Sequence, residues 1–150
     1  MTSFELSRTV LIDAPPETIA EQIVDFRQWV AWSPWEGVDA DLRRTYTGPE
    51  SGVGSHYAWE GAKTGAGSME IVEAESLRTV VDLRFIKPFK ATNTVIFDLV
   101  PQGSSTQVTW TMTGQRNPVM AALGKLHFDK AIGKDFDRGL AQLKAVAEAS

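Results

Sequence analysis

The sequence predicts an α+β fold, one antiparallel sheet with helices on one side, and three observations carry that expectation. Most of the chain alternates apolar and polar residues with the period of a half-buried strand. Short turns join consecutive segments of this kind, and parallel strands would need long crossovers, so the pattern implies an antiparallel meander. The last third changes period to a single apolar stripe at helical spacing. A sheet covered on one face and wet on the other explains the clean alternation.

The elements follow in order. From Phe4 to Asp13, the residues Phe4, Leu6, Val10 and Ile12 share one parity, while Glu5, Ser7, Thr9 and Asp13 share the other. This predicts a first strand, with Arg8 anomalous on the apolar parity. Ala14-Pro15-Pro16 ends it, because proline removes a donor and restricts its predecessor. Pro16 to Phe26 predicts a short helix through Ile19, Ile23 and Phe26. A second short helix or irregular segment carries Trp29, Trp32 and Trp35 before Gly37.

Six further strands are predicted at Asp41–Thr47, Ser55–Glu60, Gly67–Ser76, Arg78–Ile86, Thr92–Val100 and Gln107–Gly114. Gly48-Pro49, Gly61 to Gly65, Lys87-Pro88-Phe89-Lys90 and Pro101 to Ser105 supply turns between them. Asn117-Pro118 reads as a helix start, an Asn cap followed by a proline whose missing N–H is harmless there. Phe128, Ile132, Phe136, Leu140, Leu143 and Ala147 then form one stripe. From Pro118 to Ala147 an unbroken helix would be about 45 Å long. Gly124 and Gly133 weaken it, and a break before Leu126 is compatible with the pattern.

Composition bounds the function. A chain of 150 residues suits a single domain, 1–150, with a core of its own. Fifteen Lys and Arg against nineteen Asp and Glu give a net charge of -4, which disfavours a general nucleic-acid or anionic-membrane binder. With no Cys, disulfides, Fe–S clusters and thiol nucleophiles are excluded. The two His, His56 and His127, form no ligand pair, so neither a metal nor a cofactor is expected. The apolar runs are too short to span a bilayer, and the first residues lack the blocks of a signal peptide. A cytoplasmic protein, monomer or homodimer, is the expectation.

Several motifs resemble the START-like, or SRPBCC, superfamily and within it the bacterial polyketide cyclase/dehydrase-like proteins. They are Ile12-Asp13-Ala14-Pro15-Pro16-Glu17, Trp32-Ser33-Pro34-Trp35, Tyr57-Ala58-Trp59-Glu60-Gly61 and Phe85-Ile86-Lys87-Pro88-Phe89. Thr106-Gln107-Val108-Thr109-Trp110 and Ile132-Gly133-Lys134-Asp135-Phe136 continue the match over nearly the whole chain. The resemblance implies a helix-grip: a curved seven-stranded antiparallel sheet wrapped around a long C-terminal helix, with two short helices after the first strand. It also implies a cavity between sheet and helix that takes a lipid, polyketide or other apolar ligand.

The inward parity and the helix stripe give the candidate ligand-binding residues Tyr57, Trp59, Met69, Phe85, Phe97, Trp110, Met112, Phe128 and Ile132. Aromatic and Met side chains suit adaptable apolar binding, and residues at these spacings equally well make a filled core. Trp32 and Trp35, with Trp29, are candidates for an entrance lid or for a small satellite core. Asp82, Arg84, Asp98 and the threonines Thr109, Thr111 and Thr113 fall on the outward parity, and His56 joins them. The catalytic candidates are Tyr57, as a hydrogen-bond donor to a carbonyl, and Arg8. Arg8 could orient a ligand carboxylate or enolate, or simply lay its stem over apolar surface with its head in water. Three functions follow: a binding protein for a small hydrophobic molecule, a cyclase/dehydratase-type enzyme using the same cavity, and a protein-interaction module.

Overall fold

The computed structural model describes residues 2–88, 90–116 and 128–150. The predicted helix start at Asn117-Pro118, the break before Leu126, His127, Phe89 and the side chain of Phe128 lie outside the described residues. Strand β1 (Thr2–Ile12) leads into helix α1 (Pro16–Val24) and a 3-10 helix (Phe26–Ala31). Strands β2 (Arg43–Thr47), β3 (His56–Gly61), β4 (Gly65–Glu75), β5 (Arg78–Lys87), β6 (Ala91–Gln102) and β7 (Ser105–Arg116) follow, then helix α2 (Phe128–Glu148). The seven strands form one antiparallel sheet in the order β1-β7-β6-β5-β4-β3-β2. This curved sheet gripping a C-terminal helix is the helix-grip fold.

Local chemistry sets the boundaries. Pro16 opens α1, where its missing N–H is harmless, and Ile19 and Ile23 face the core at 0% exposure. The Asp25 carboxylate caps the 3-10 helix by accepting from Arg27 N at 3.0 Å. The second short helix therefore ends at Ala31, leaving Trp32 at its cap and Trp35 beyond it. β2 begins at Arg43, two residues later than the alternation predicts. In β4 a register shift between Ile71 and Glu73 throws Val72 outward and returns Ala74 to the core side.

Both sheet edges are protected. β2 is short and carries Arg43 and Arg44, which discourages pairing with another chain. β1 is long, and α2 covers it: Lys144 Nζ donates to Leu11 O at 2.9 Å, and Asp13 N donates to Glu148 Oε2 at 2.8 Å. Parity assigns the faces correctly along β5, β6 and β7, with Val81, Leu83, Val95, Phe97, Val108, Trp110 and Met112 buried. The outward threonines differ from expectation in degree. Thr109, Thr111 and Thr113 are half-buried, because Thr9, Ile96 and Thr94 flank them across the ladder.

Candidate functional site

The predicted ligand residues separate into two groups. Trp32 and Phe97 are 0% exposed and Trp110 is 1% exposed, all three inside an aromatic core. Trp29 and Trp32 lie 4.5 Å apart, and Trp32 meets Trp110 edge-on at 5.7 Å. Phe97 and Phe136 cover the two faces of Trp110 at 5.0 and 4.2 Å. Hydrogen bonds from Trp29 Nε1 to Ile23 O (2.8 Å) and from Trp32 Nε1 to Gln22 O (3.0 Å) tie both indoles to α1. Trp29 and Trp32 thus form neither a lid nor a satellite core: they belong to the central core. Two large indoles at this spacing are needed to fill the gap between sheet, α1 and α2.

Trp35 sits half-buried at the rim, edge-on to Trp110 and Phe136. Its Nε1 donates to Asp135 Oδ2 at 3.3 Å, and Arg138 Nη2 donates to Pro34 O at 2.7 Å. Gly139 admits this segment, since a Cβ there would lie 2.8 Å from both Pro34 Cδ and Trp110 Cζ3. The Trp32-to-Trp35 segment is therefore latched to α2.

The second group lines the concave face toward β2 and the far ends of β3, β4 and β5. Tyr46, Tyr57, Trp59 and Phe85 form a run of rings with successive centroids 5.2, 6.1 and 6.0 Å apart. Trp59 reaches Phe85 by lying across Gly67 of the intervening strand, where a Cβ would come within 2.5 Å of Trp59 Cη2. Trp59, Met69 and Phe85 stay half-buried, as does Ile132 on α2, while Leu83 and Met112 are buried beside them. The result is an apolar floor of aromatic and Met side chains that the protein itself only half covers.

Electrostatics at this floor are muted. Burial pushes the Tyr57 phenol up to about 12; the Glu36 carboxylate adds to this and Arg44 opposes it. Tyr57 is therefore a proton-bearing donor at neutral pH and unsuited to act as a base. Burial likewise raises Tyr46, whose ring lies under the Arg27 guanidinium at 4.7 Å. Arg44 is engaged by both carboxylate oxygens of Glu36, which holds it charged and neutralised. Arg8 does not reach the floor. Its guanidinium crosses α2 at Gly133, where a Cβ would lie 2.3 Å from Nη2, and pairs with Asp137 at 3.5 Å. β1 is an edge strand, so an inward Arg there reaches water past the helix, and the reading of Arg8 as a cavity cation gives way.

Five residues at the floor escaped the sequence reading, Tyr46 of the ring run among them. Asn93 shares the inward parity of Val95, Phe97 and Leu99 and is 6% exposed, so parity alone could have found it. Arg44 shares parity with Tyr46, which strand pairing was needed to interpret. Glu36, on a connecting segment, and Gly67, whose role depends on Trp59, left no local signal. His56 lies on the outer face, as parity indicates, in a groove of about 260 Å³ with Ser68, Glu70, Asp82 and Arg84. Among the described residues no group of three His, Asp or Glu side chains could hold a metal. No described helix is long and apolar enough to cross a membrane.

Comparison with known proteins agrees with the architecture. The family model described as "Polyketide cyclase / dehydrase and lipid transport" matches residues 3–148. Among solved structures, the KanY protein is 18% identical over 99% of both chains, with a TM-score of 0.71. The Aha1 dimer from Colwellia psychrerythraea is 15% identical over 97% of this chain and 96% of its own, with a TM-score of 0.70. Ara h 8.0201 is only 7% identical over 99% of this chain and all of its own (100%), yet its TM-score is 0.70. At these identities the likeness is one of fold. No curated protein matches the sequence.

Proposed function

The chain belongs to the polyketide cyclase/dehydrase and lipid transport family, and from that membership we propose that it binds a small hydrophobic molecule, lipid- or polyketide-like, on the concave aromatic floor. Tyr57, Trp59, Met69 and Phe85 make the contact surface, with Ile132 facing it from α2. Trp32, Phe97, Trp110 and Met112 support the floor from behind without touching the ligand. One observation carries the reading: Trp59, Met69 and Phe85 point to the core side of the sheet yet stay half-buried. Elsewhere the same face is sealed by Trp32, Trp110 and Phe136. Large apolar side chains left part-uncovered inside a concave face gain dispersion and transfer energy from an apolar guest. Micromolar affinity, on the order of -8 kcal/mol, is the expected scale.

Titration of fatty acids, flavonoids and aromatic polyketides against the protein, followed by tryptophan fluorescence, tests this. Quenching that saturates with a micromolar midpoint supports the reading. No saturable change with any compound would sink it.

The enzyme reading rests on Tyr57, whose retained proton and place beside the Arg44–Glu36 pair suit polarisation of a substrate carbonyl. Under that reading Tyr57→Phe leaves affinity nearly intact and slows conversion of a bound polyketide by at least about tenfold.

A further inference from the structure

We infer that the carboxamide of Asn93 is the polar anchor of the concave site. Its ligand is then a neutral, mostly apolar compound carrying a ketone or hydroxyl oxygen, and not a carboxylate. The inference rests on the proposed binding role and adds the ligand class to it.

Asn93 interrupts an otherwise apolar register. It lies on the inward face of β6, opposite Leu83 of β5 and Gly114 of β7, with Val95 two residues on. It is 6% exposed. Among the described residues its side chain has no hydrogen-bond partner. Neither amide atom is among the described buried polar atoms that lack a partner, so water still reaches the amide, and a bound carbonyl or hydroxyl would take the place of that water. An amide offers two donors and one acceptor, enough to bind a carbonyl or a hydroxyl.

Gly114 sets the orientation of the amide. A Cβ on Gly114 would lie 2.2 Å from Asn93 Oδ1, so the amide occupies space that any other residue would fill. The space that β7 gives up at Gly114 is shared by the amide and the Phe4 ring, whose Cε1 would lie 2.8 Å from the same Cβ, so the glycine serves packing as well as the placement of the amide.

Charge selects against a carboxylate. The same-face neighbours of Asn93 are Leu83, Val95, Met112 and Gly114, none of them ionisable. Among the described side chains, the inward guanidinium groups of Arg8 and Arg44 are already paired, with Asp137 and Glu36. An ionised carboxylate placed beside Asn93 would lose its hydration, and neither of these two paired guanidinium groups is free to replace it.

Isothermal titration with four probes that share one ring system tests this: naphthalene, 2-acetylnaphthalene, 2-naphthol and 2-naphthoate, at neutral pH. The ketone and the naphthol should bind at least about tenfold more tightly than naphthalene, and naphthoate no better than naphthalene; tenfold is about 1.4 kcal/mol. In Asn93→Leu the preference for the ketone should vanish while naphthalene binds as well or better. Gly114→Ala is a second variant, which turns the amide without removing it and should reduce the same preference. Naphthoate binding as tightly as the ketone, or a preference that survives both variants, overturns the inference and leaves the apolar site standing. Equal binding of all four probes does the same. Failure of every probe to bind the wild type overturns the binding role itself, and this inference with it.

Discussion

The indole of Trp110 lies flat on the ring of Phe136, with centroids 4.2 Å apart and planes inclined by only 7°. One ring comes from β7 and the other from α2, so this contact closes the helix onto the sheet. Phe136 is 1% exposed, and nothing nearby can relax into its place because Phe97 and Trp35 are fixed against the same indole. Phe136→Ala should cost about 3–5 kcal/mol, the transfer energy of the ring plus the cavity it leaves. The urea midpoint measures this. A midpoint equal to that of the wild type would show that α2 is not held by this stack.

Arg8 should be nearly silent. Its ion pair with Asp137 joins side chains that are 38% and 61% exposed, where screening leaves little net energy. Arg8→Met keeps the apolar stem over β1 and α2 and removes only the pair. Stability should change by less than about 1 kcal/mol, and affinity for neutral apolar ligands should not move. A tenfold loss of ligand affinity in Arg8→Met would return this residue to the binding site.

Tyr57 makes stability depend on alkaline pH in a defined direction. Its phenol titrates at about 12 in the folded chain against an ordinary 10.0, first because it is buried and then because Glu36 is near. Below the unfolded value both states keep the proton, and the full stability is present. As pH rises from 10.0 toward 12, the unfolded chain releases the proton and the folded chain does not. Stability therefore falls, by at most about 1.4 kcal/mol per pH unit, less where solvent reaches the ring. Tyr46 is shifted the same way and adds to the slope. Urea midpoints between about pH 9 and 11.5 should decline more steeply in the wild type than in Tyr57→Phe. Parallel curves would show that Tyr57 titrates at its ordinary value in the folded state.

What the sequence made legible follows from the range of each interaction. Alternation is a local property, so the inward set from Val81 to Met112 and the stripe through Phe136, Leu140 and Leu143 could be read directly. The role of Arg8 could not, because its partner Asp137 lies far along the chain and only the sheet order puts β1 under α2. The tryptophans misled for a related reason. A spacing of three suggested one helical face, but the helix stops at Ala31, and long-range contacts with Phe97 and Trp110 decide where Trp32 goes. The split between sealed core and half-covered floor depends on which rings reach one another across strands. Gly67 allows one such reach, and a glycine in a strand gives no sign of the indole it accommodates.

Trp59 separates a binding floor from a core. Its ring stacks on Tyr57 at 6.1 Å, meets Phe85 at 6.0 Å and is half-buried, with Nε1 donating to Thr64 O at 3.4 Å. Trp32 has the same side chain at 0% exposure. Trp32→Ala should therefore cost about 3–5 kcal/mol, whereas Trp59→Ala, already partly in water, should cost clearly less. If ligand lies on the floor, Trp59→Ala should weaken apolar binding by about tenfold or more, since the variant loses both the apolar area of the indole and an aromatic contact of about 0.5–1.5 kcal/mol. Gly67→Ala probes the same surface from beneath. Its new Cβ would come within 2.5 Å of Trp59 Cη2 and 2.4 Å of Arg84 O, so the indole must lift away and the backbone of β4 or β5 must shift with it. Overpacking of that kind costs about 1–3 kcal/mol and should blunt the ligand-induced fluorescence change. Titration of 2-acetylnaphthalene into wild type, Trp59→Ala and Gly67→Ala, with a urea midpoint for each, reads both quantities together. Weakened binding in the two variants with a stable fold places the ligand on Trp59. Unchanged affinity in both would mean that any ligand binds elsewhere and that the half-covered rings only pack against one another.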